Sequence, residues 1–153
     1  MKRFRFSLEK VLKLRTQEQE QAKRALAQAM AVEASARQAL EDVRARLQQR
    51  ASEAGALERA GLSVFEFANF RHYVAFLQGE EKRYAEELAR AEQMTQKRRL
   101  ALLEARRREK ALEKLKERRL EQYQQESLRH EQKELDEYGN RQGLNRPPSE
   151  PDI

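Results

Sequence analysis

Apolar residues recur at alternating steps of three and four along most of this chain, in two runs separated by one short break. In the first run Leu8, Val11, Ala22, Ala25, Ala29, Val32, Ala36, Ala39 and Val43 form the stripe, with Arg15 and Glu18 at the two skipped positions. Leu12, Leu26, Leu40 and Leu47 each follow a stripe position by one residue and widen it. In the second run Phe70, Val74, Leu77, Tyr84, Leu88, Ala91, Leu102, Ala105 and Leu112 repeat the period, and Glu81, Thr95, Arg98 and Glu109 fill its gaps. A spacing held over several heptads predicts helices wound on one another. Beyond Leu115 the period degrades, with Leu120, Tyr123, Leu128, Leu135 and Tyr138 at uneven intervals.

The break is Gly61-Leu62-Ser63-Val64-Phe65-Glu66-Phe67. Ser63 and Glu66 have the spacing of a capping box, and Leu62 against Phe67 would supply the hydrophobic staple. Gly55 and Gly61 are expected to provide positive φ where the first helix ends. Ser7 is the expected N-cap of that helix, with Phe6 against Val11 as its staple. The reading is all-α: a long antiparallel two-helix coiled-coil hairpin over residues 1–138, with a disordered tail at 139–153. Helix one is expected over about 7–54, the reversal over about 55–62 and helix two over about 63–138. Gly139 is the expected stop, and the residues after it have a disordered composition.

Folding the runs antiparallel about a centre near residue 58 sets Val43 against Val74, Ala39 against Leu77, Ala29 against Leu88 and Val11 against Ala105. Small residues on one helix then meet large ones on the other, as interdigitating packing requires. Glu18 beside Arg98 would form a polar layer that fixes register. Helix two is left to overhang by roughly 20–25 residues, or about 30–38 Å at 1.5 Å per residue.

Composition agrees with a thin seam rather than a globular core. Charged residues make up 38% of the 153, mean hydropathy is −1.04, and there are five glycines and three prolines. The lack of cysteine excludes disulfides and thiolate metal sites, and suits a reducing compartment. No apolar run approaches the ~18–20 residues of a spanning helix. The basic N-terminus lacks the apolar core and cleavage site of a secretory signal. A basic amphipathic helix lying on a membrane surface is the alternative reading of that stretch.

Charge is unevenly distributed. Residues 1–15 carry six basic groups against Glu9, and residues 97–119 carry eleven against four glutamates. The hairpin would bring both stretches to its open end. Such a cluster suits either a solvated face with i,i+4 pairing or contact with a polyanion. Stacking on single-stranded nucleic acid needs exposed aromatics, and Phe4 and Phe6 are the only ones in these stretches. Six further aromatics, Phe65, Phe67, Phe70, Tyr73, Phe76 and Tyr84, gather beside the reversal, where Tyr73 and Phe76 fall off the stripe. They either cap the loop or form a partner surface.

Little here suggests catalysis. There is no glycine-rich phosphate loop, and the histidines number two. His130 lies four residues from both Glu126 and Glu134, a face read as solvated rather than metal-binding. No catalytic residue, cofactor or metal is expected.

Two segments resemble the flagellar protein FliJ family, a soluble component of the flagellar type III export apparatus. They are the opening Phe4-Arg5-Phe6-Ser7-Leu8-Glu9-Lys10-Val11-Leu12, and Gly61-Leu62-Ser63-Val64 leading into Phe70-Arg71-His72-Tyr73-Val74. The resemblance implies a hairpin similar to the central stalk of rotary ATPases, docked in the pore of the hexameric export ATPase. It also implies contact with the cytoplasmic domain of the export gate protein FlhA, export chaperones as further partners, and a cytoplasmic place at the inner face of the membrane. The gate-facing set maps to Val43, Arg50, Tyr73, Leu77 and Tyr84, with Phe76 exposed beside them. Some relatives carry aromatics where this chain has Arg46 and Arg50. The ATPase-facing set is taken as Arg3, Arg5, Lys10, Lys13, Arg106, Arg107, Arg108 and Lys110. The alternatives are an equivalent stalk of a virulence type III system and a basic coiled coil that binds nucleic acid.

Overall fold

The computed structural model describes residues 2–144 and is an antiparallel helical hairpin. Its helices are α1 (Glu9–Ala60) and α2 (Val64–Leu144). The chain divides into two compact units, one of Thr16–Arg107 and one of Met1–Arg15 with Arg108–Ile153.

In the Thr16–Arg107 unit the reversal occupies only Gly61 to Ser63. Gly61 has φ 77°, the left-handed geometry that glycine adopts without a Cβ clash. Gly55 lies within α1 and lacks that geometry, so α1 runs six residues past its expected end. The capping box forms as expected. The Ser63 amide donates to the Glu66 carboxylate at 3.2 Å, and the Glu66 amide donates to the Ser63 hydroxyl at 3.2 Å. Two amides that the helix cannot satisfy internally are thereby paired.

The longer α1 shifts the register. The facing pairs Arg50–Tyr73, Arg44–Glu81 and Arg37–Glu92 are centred between residues 61 and 65, not near 58. The expected alignments of Val43 with Val74, Ala39 with Leu77 and Ala29 with Leu88 therefore do not hold. The same applies to Glu18 with Arg98, which is exposed.

The α2 seam matches the expected stripe, with Leu77, Ala91, Thr95 and Leu102 buried. The α1 seam is corrected at alternate positions. Leu12 and Leu40 are buried and Leu26 and Leu47 half-buried, while Val11 and Val32 are exposed, Val32 at 62%. Four leucines at multiples of seven remove more apolar area from water than two valines and two alanines in the neighbouring column. That choice places Glu33 in the seam beside Thr95, whose hydroxyl is buried without a partner at hydrogen-bond geometry. The nearby hydroxyl, together with Arg37 at 2.8 Å, holds the Glu33 carboxyl below its ordinary pKa.

In the other unit α1 starts at Glu9, and its first helical bond runs from the Leu12 amide to the Leu8 carbonyl at 2.9 Å. Ser7 is therefore not the cap. Its hydroxyl accepts from Arg119 at 2.7 Å. Residues 2–6 form no helix, and the segment lies along α2 as a strap. Phe4 meets the Tyr123 ring at 5.5 Å between centroids, and the Tyr123 hydroxyl donates to the Lys2 carbonyl at 2.7 Å. Phe6 is 8% exposed, with the Arg119 guanidinium 5.8 Å from its ring centroid. Lys116 pairs with Glu9 at 2.9 Å.

The strap gives α2 a partner up to Tyr123, so the overhang begins later than residue 116. From Gln124 to Leu144 every residue except Ser127 is exposed. Gly139 does not stop α2, which continues through it to Leu144. The rest of the expected tail lies outside the described residues.

Candidate interaction surfaces

In the Thr16–Arg107 unit, α2 emerges from its cap with Val64, Phe65 and Phe67 exposed, Phe65 at 75%. Leu62 and Phe67 line one recess with Gly61 and Ser63, so the expected staple encloses only part of the Phe67 ring. One helical turn further on, heptad geometry separates aromatics from the seam. Phe70 is half-buried, while Tyr73 and Phe76 project outward, Phe76 at 61% exposure.

Of the six residues expected to face the gate, Val43 and Leu77 are seam residues, and Leu77 is 1% exposed. Packing between the two helices removes both from any surface a partner can touch. Arg50 lies 4.7 Å from the Tyr73 ring centroid and pairs with Glu53 at 2.9 Å. An arginine on that helix thus binds the aromatic of the facing helix by its planar cation instead of adding a second aromatic. Tyr84 is half-buried, with Arg83 at 4.8 Å from its ring centroid. Tyr73, Phe76, Tyr84 and Arg50 are what remains of the set at the surface. The Arg50–Tyr73 stacking has no signature in local spacing, because it depends on the register.

The other unit presents charge. Arg3, Arg5, Lys10, Lys13, Arg108 and Lys110 are exposed there; Arg106 and Arg107, also exposed, belong to the Thr16–Arg107 unit. The strap accounts for the alternation Lys2-Arg3-Phe4-Arg5-Phe6. An extended chain turns successive side chains to opposite sides. Phe4 and Phe6 meet α2, and Arg3 and Arg5 are left in solvent. These two rings are thus engaged with the chain itself rather than presented as a stacking platform.

Further along α2, His130 Nδ1 lies 3.4 Å from Glu134, an exposed i,i+4 contact. Among the described residues no helix is long and apolar enough to cross a membrane.

Comparisons with known proteins agree with this architecture. A solved structure of CT670 from Chlamydia trachomatis, a protein proposed to be a YscO homologue, is similar at TM-score 0.60 and 17% identity. The alignment covers 93% of this chain and 96% of that one, and at such identity it speaks for the fold alone. None of the curated proteins matches the sequence. The family model of the flagellar FliJ protein matches residues 4–147, which takes in the strap from Phe4 onward, both helices and the capped reversal. The chain belongs to the FliJ family, and so to the type III export apparatus.

Proposed function

We propose that this protein is a non-enzymatic, stalk-like adaptor and chaperone escort of the flagellar type III export apparatus, coupling the hexameric export ATPase to the export gate FlhA. It acts in the cytoplasm at the inner face of the membrane. The observation that carries the reading is the contrast between its two surfaces. One is aromatic and follows the reversal, with Phe76, Tyr73 under Arg50 and Tyr84 under Arg83. The other is basic, with Arg3, Arg5, Lys10, Lys13, Arg108 and Lys110, and Arg106 and Arg107 precede Arg108 on the same helix. Aromatics in part-exposed positions suit a specific protein contact with desolvated anchors. A dense basic surface suits fast, oriented docking into an acidic lining. Adaptor work of this kind requires two separate binding faces and no reacting groups.

Replacing Arg106, Arg107 and Arg108 with Glu tests the assignment. Association with the ATPase should slow sharply at low salt, high salt should narrow the gap to wild type, and FlhA binding should not change. Unchanged ATPase association across the salt series, or a loss confined to FlhA, would overturn the assignment of the two faces.

The fold shared with the CT670 structure favours one second reading, a stalk of a virulence-type export system. Both readings use the same two faces. Capture of the flagellar ATPase, against that of a virulence system, separates them.

A further inference from the structure

The corrected α1 seam leaves an apolar column outside it. Val32, Ala36 and Ala39 of α1 and Tyr84, Glu87 and Ala91 of α2 line an open groove of about 730 Å³ on one side of the Thr16–Arg107 unit. Met94, 44% exposed, continues it along α2. The opposite side of the seam carries the Arg37–Glu92 pair. A two-helix seam closed by charge on one side and left apolar on the other is half of a four-helix bundle.

We infer that this groove is the contact face of a homodimer in which two hairpins pack as an antiparallel four-helix bundle. The occupant is indicated by the charges along the groove's α2 rim, which complement themselves. A two-fold axis between Leu88 and Ala89 sets Glu87 opposite Arg90 of the second copy, and Glu80 opposite its Lys97. Both pairs occur twice by symmetry, as an isologous interface requires. The same axis brings Val32 and Met94 of one copy near Ala39 and Tyr84 of the other. Large residues then alternate with small ones between layers, the condition for a close-packed core. The hairpin's own register sets these layers, because Ala36, Ala39, Tyr84 and Ala91 already line the groove together. The inference does not rest on the export reading, and Tyr84, which lines the groove, cannot serve the dimer and a gate contact at once.

Sedimentation equilibrium of the full chain tests it. Wild type should pass from monomer to dimer between roughly 1 and 200 µM, and more weakly at high salt. Val32→Glu and Arg90→Glu should each weaken dimerisation by at least about tenfold. The charge swap Glu87→Arg with Arg90→Glu should restore it to within about threefold of wild type, since the pairs re-form with signs exchanged. Circular dichroism should show unchanged helicity in each variant, because Val32 and Arg90 are exposed. A wild-type chain that stays monomeric throughout would overturn the inference. So would a dimer that tolerates Val32→Glu, or one that the charge swap fails to restore.

Discussion

The two helices begin in different ways. Each is preceded by a serine within two residues of its first turn, yet only Ser63 caps. It has a glutamate three residues on, and the two exchange hydrogen bonds at 3.2 Å in each direction. Ser7 has Lys10 at the same offset, which has no acceptor to offer in return. Its hydroxyl is taken by Arg119, and Phe4 and Phe6 hold the preceding chain extended against α2. The α2 start is thus fixed by residues within four positions of one another, the α1 start by residues more than a hundred positions away. A local motif decides a helix boundary when it is complete. When it is half-formed, tertiary contacts decide.

The sharpest way to break this contrast is to remove a tertiary anchor of the α1 start. Phe6→Ala deletes a buried aromatic and should cost on the order of 2–4 kcal/mol locally, since the strap is held at few other points. Hydrogen exchange should show the 2–12 segment and the turn around Tyr123 losing protection, with the reversal unaffected. Uniform loss along both helices would show that the strap is not a separate cooperative element.

Removing the caps should give a smaller effect and an asymmetric one. Ser63→Ala with Glu66→Ala should cost roughly 1–2 kcal/mol at the reversal. Ser7→Ala should cost about 0.5 kcal/mol or less, because it removes only an exposed bond to Arg119. Denaturation midpoints of the two variants check the difference. Equal losses would mean that Ser7 is capping after all.

The smallest effect concerns the polar layer inside the seam. Glu33 is held ionised by the Thr95 hydroxyl and by Arg37, so its folded pKa lies below its unfolded one. A depressed carboxyl contributes stability above the unfolded pKa and loses it as pH falls through the folded value. Wild type should therefore lose stability on acidification below the ordinary glutamate range, and Glu33→Gln should flatten that part of the profile. Parallel profiles for the two proteins would assign the acid sensitivity to other carboxylates.

The fold was legible in the sequence wherever a signal was local or strongly periodic. The α2 stripe from Phe70 to Leu112 matches the observed seam, and the capping box is where Ser63 and Glu66 put it. Errors arose where two local readings competed. In α1 the valine and alanine column and the leucine column both keep a seven-residue period, and steps alone do not rank them. The greater area of Leu12, Leu26, Leu40 and Leu47 would have done so. Gly55 has the look of a stop, although a glycine inside a long helix costs only about 1 kcal/mol relative to Ala. That single error displaced the register and every facing pair derived from it. The seam place of Glu33 follows instead from the leucine column, seven residues after Leu26 and seven before Leu40. The strap was not legible, since its partners Lys116, Arg119 and Tyr123 lie far along the chain where the stripe fades. For the candidate surfaces, residue type pointed to Tyr73, Phe76 and the basic clusters, all of which reach solvent. Val43 and Leu77 were placed by resemblance among surface residues, although periodicity already marked them as seam.

In the proposed function the aromatic and basic faces serve different partners. Site-specific photo-crosslinking in cells, with the reactive residue at Phe76 in one strain and at Arg5 in another, measures this directly. Both positions are exposed. The Phe76 position should capture the export gate and the Arg5 position the export ATPase, each without the other's product. Capture of one partner from both positions, or of the ATPase from Phe76 and the gate from Arg5, would overturn the assignment of the two faces.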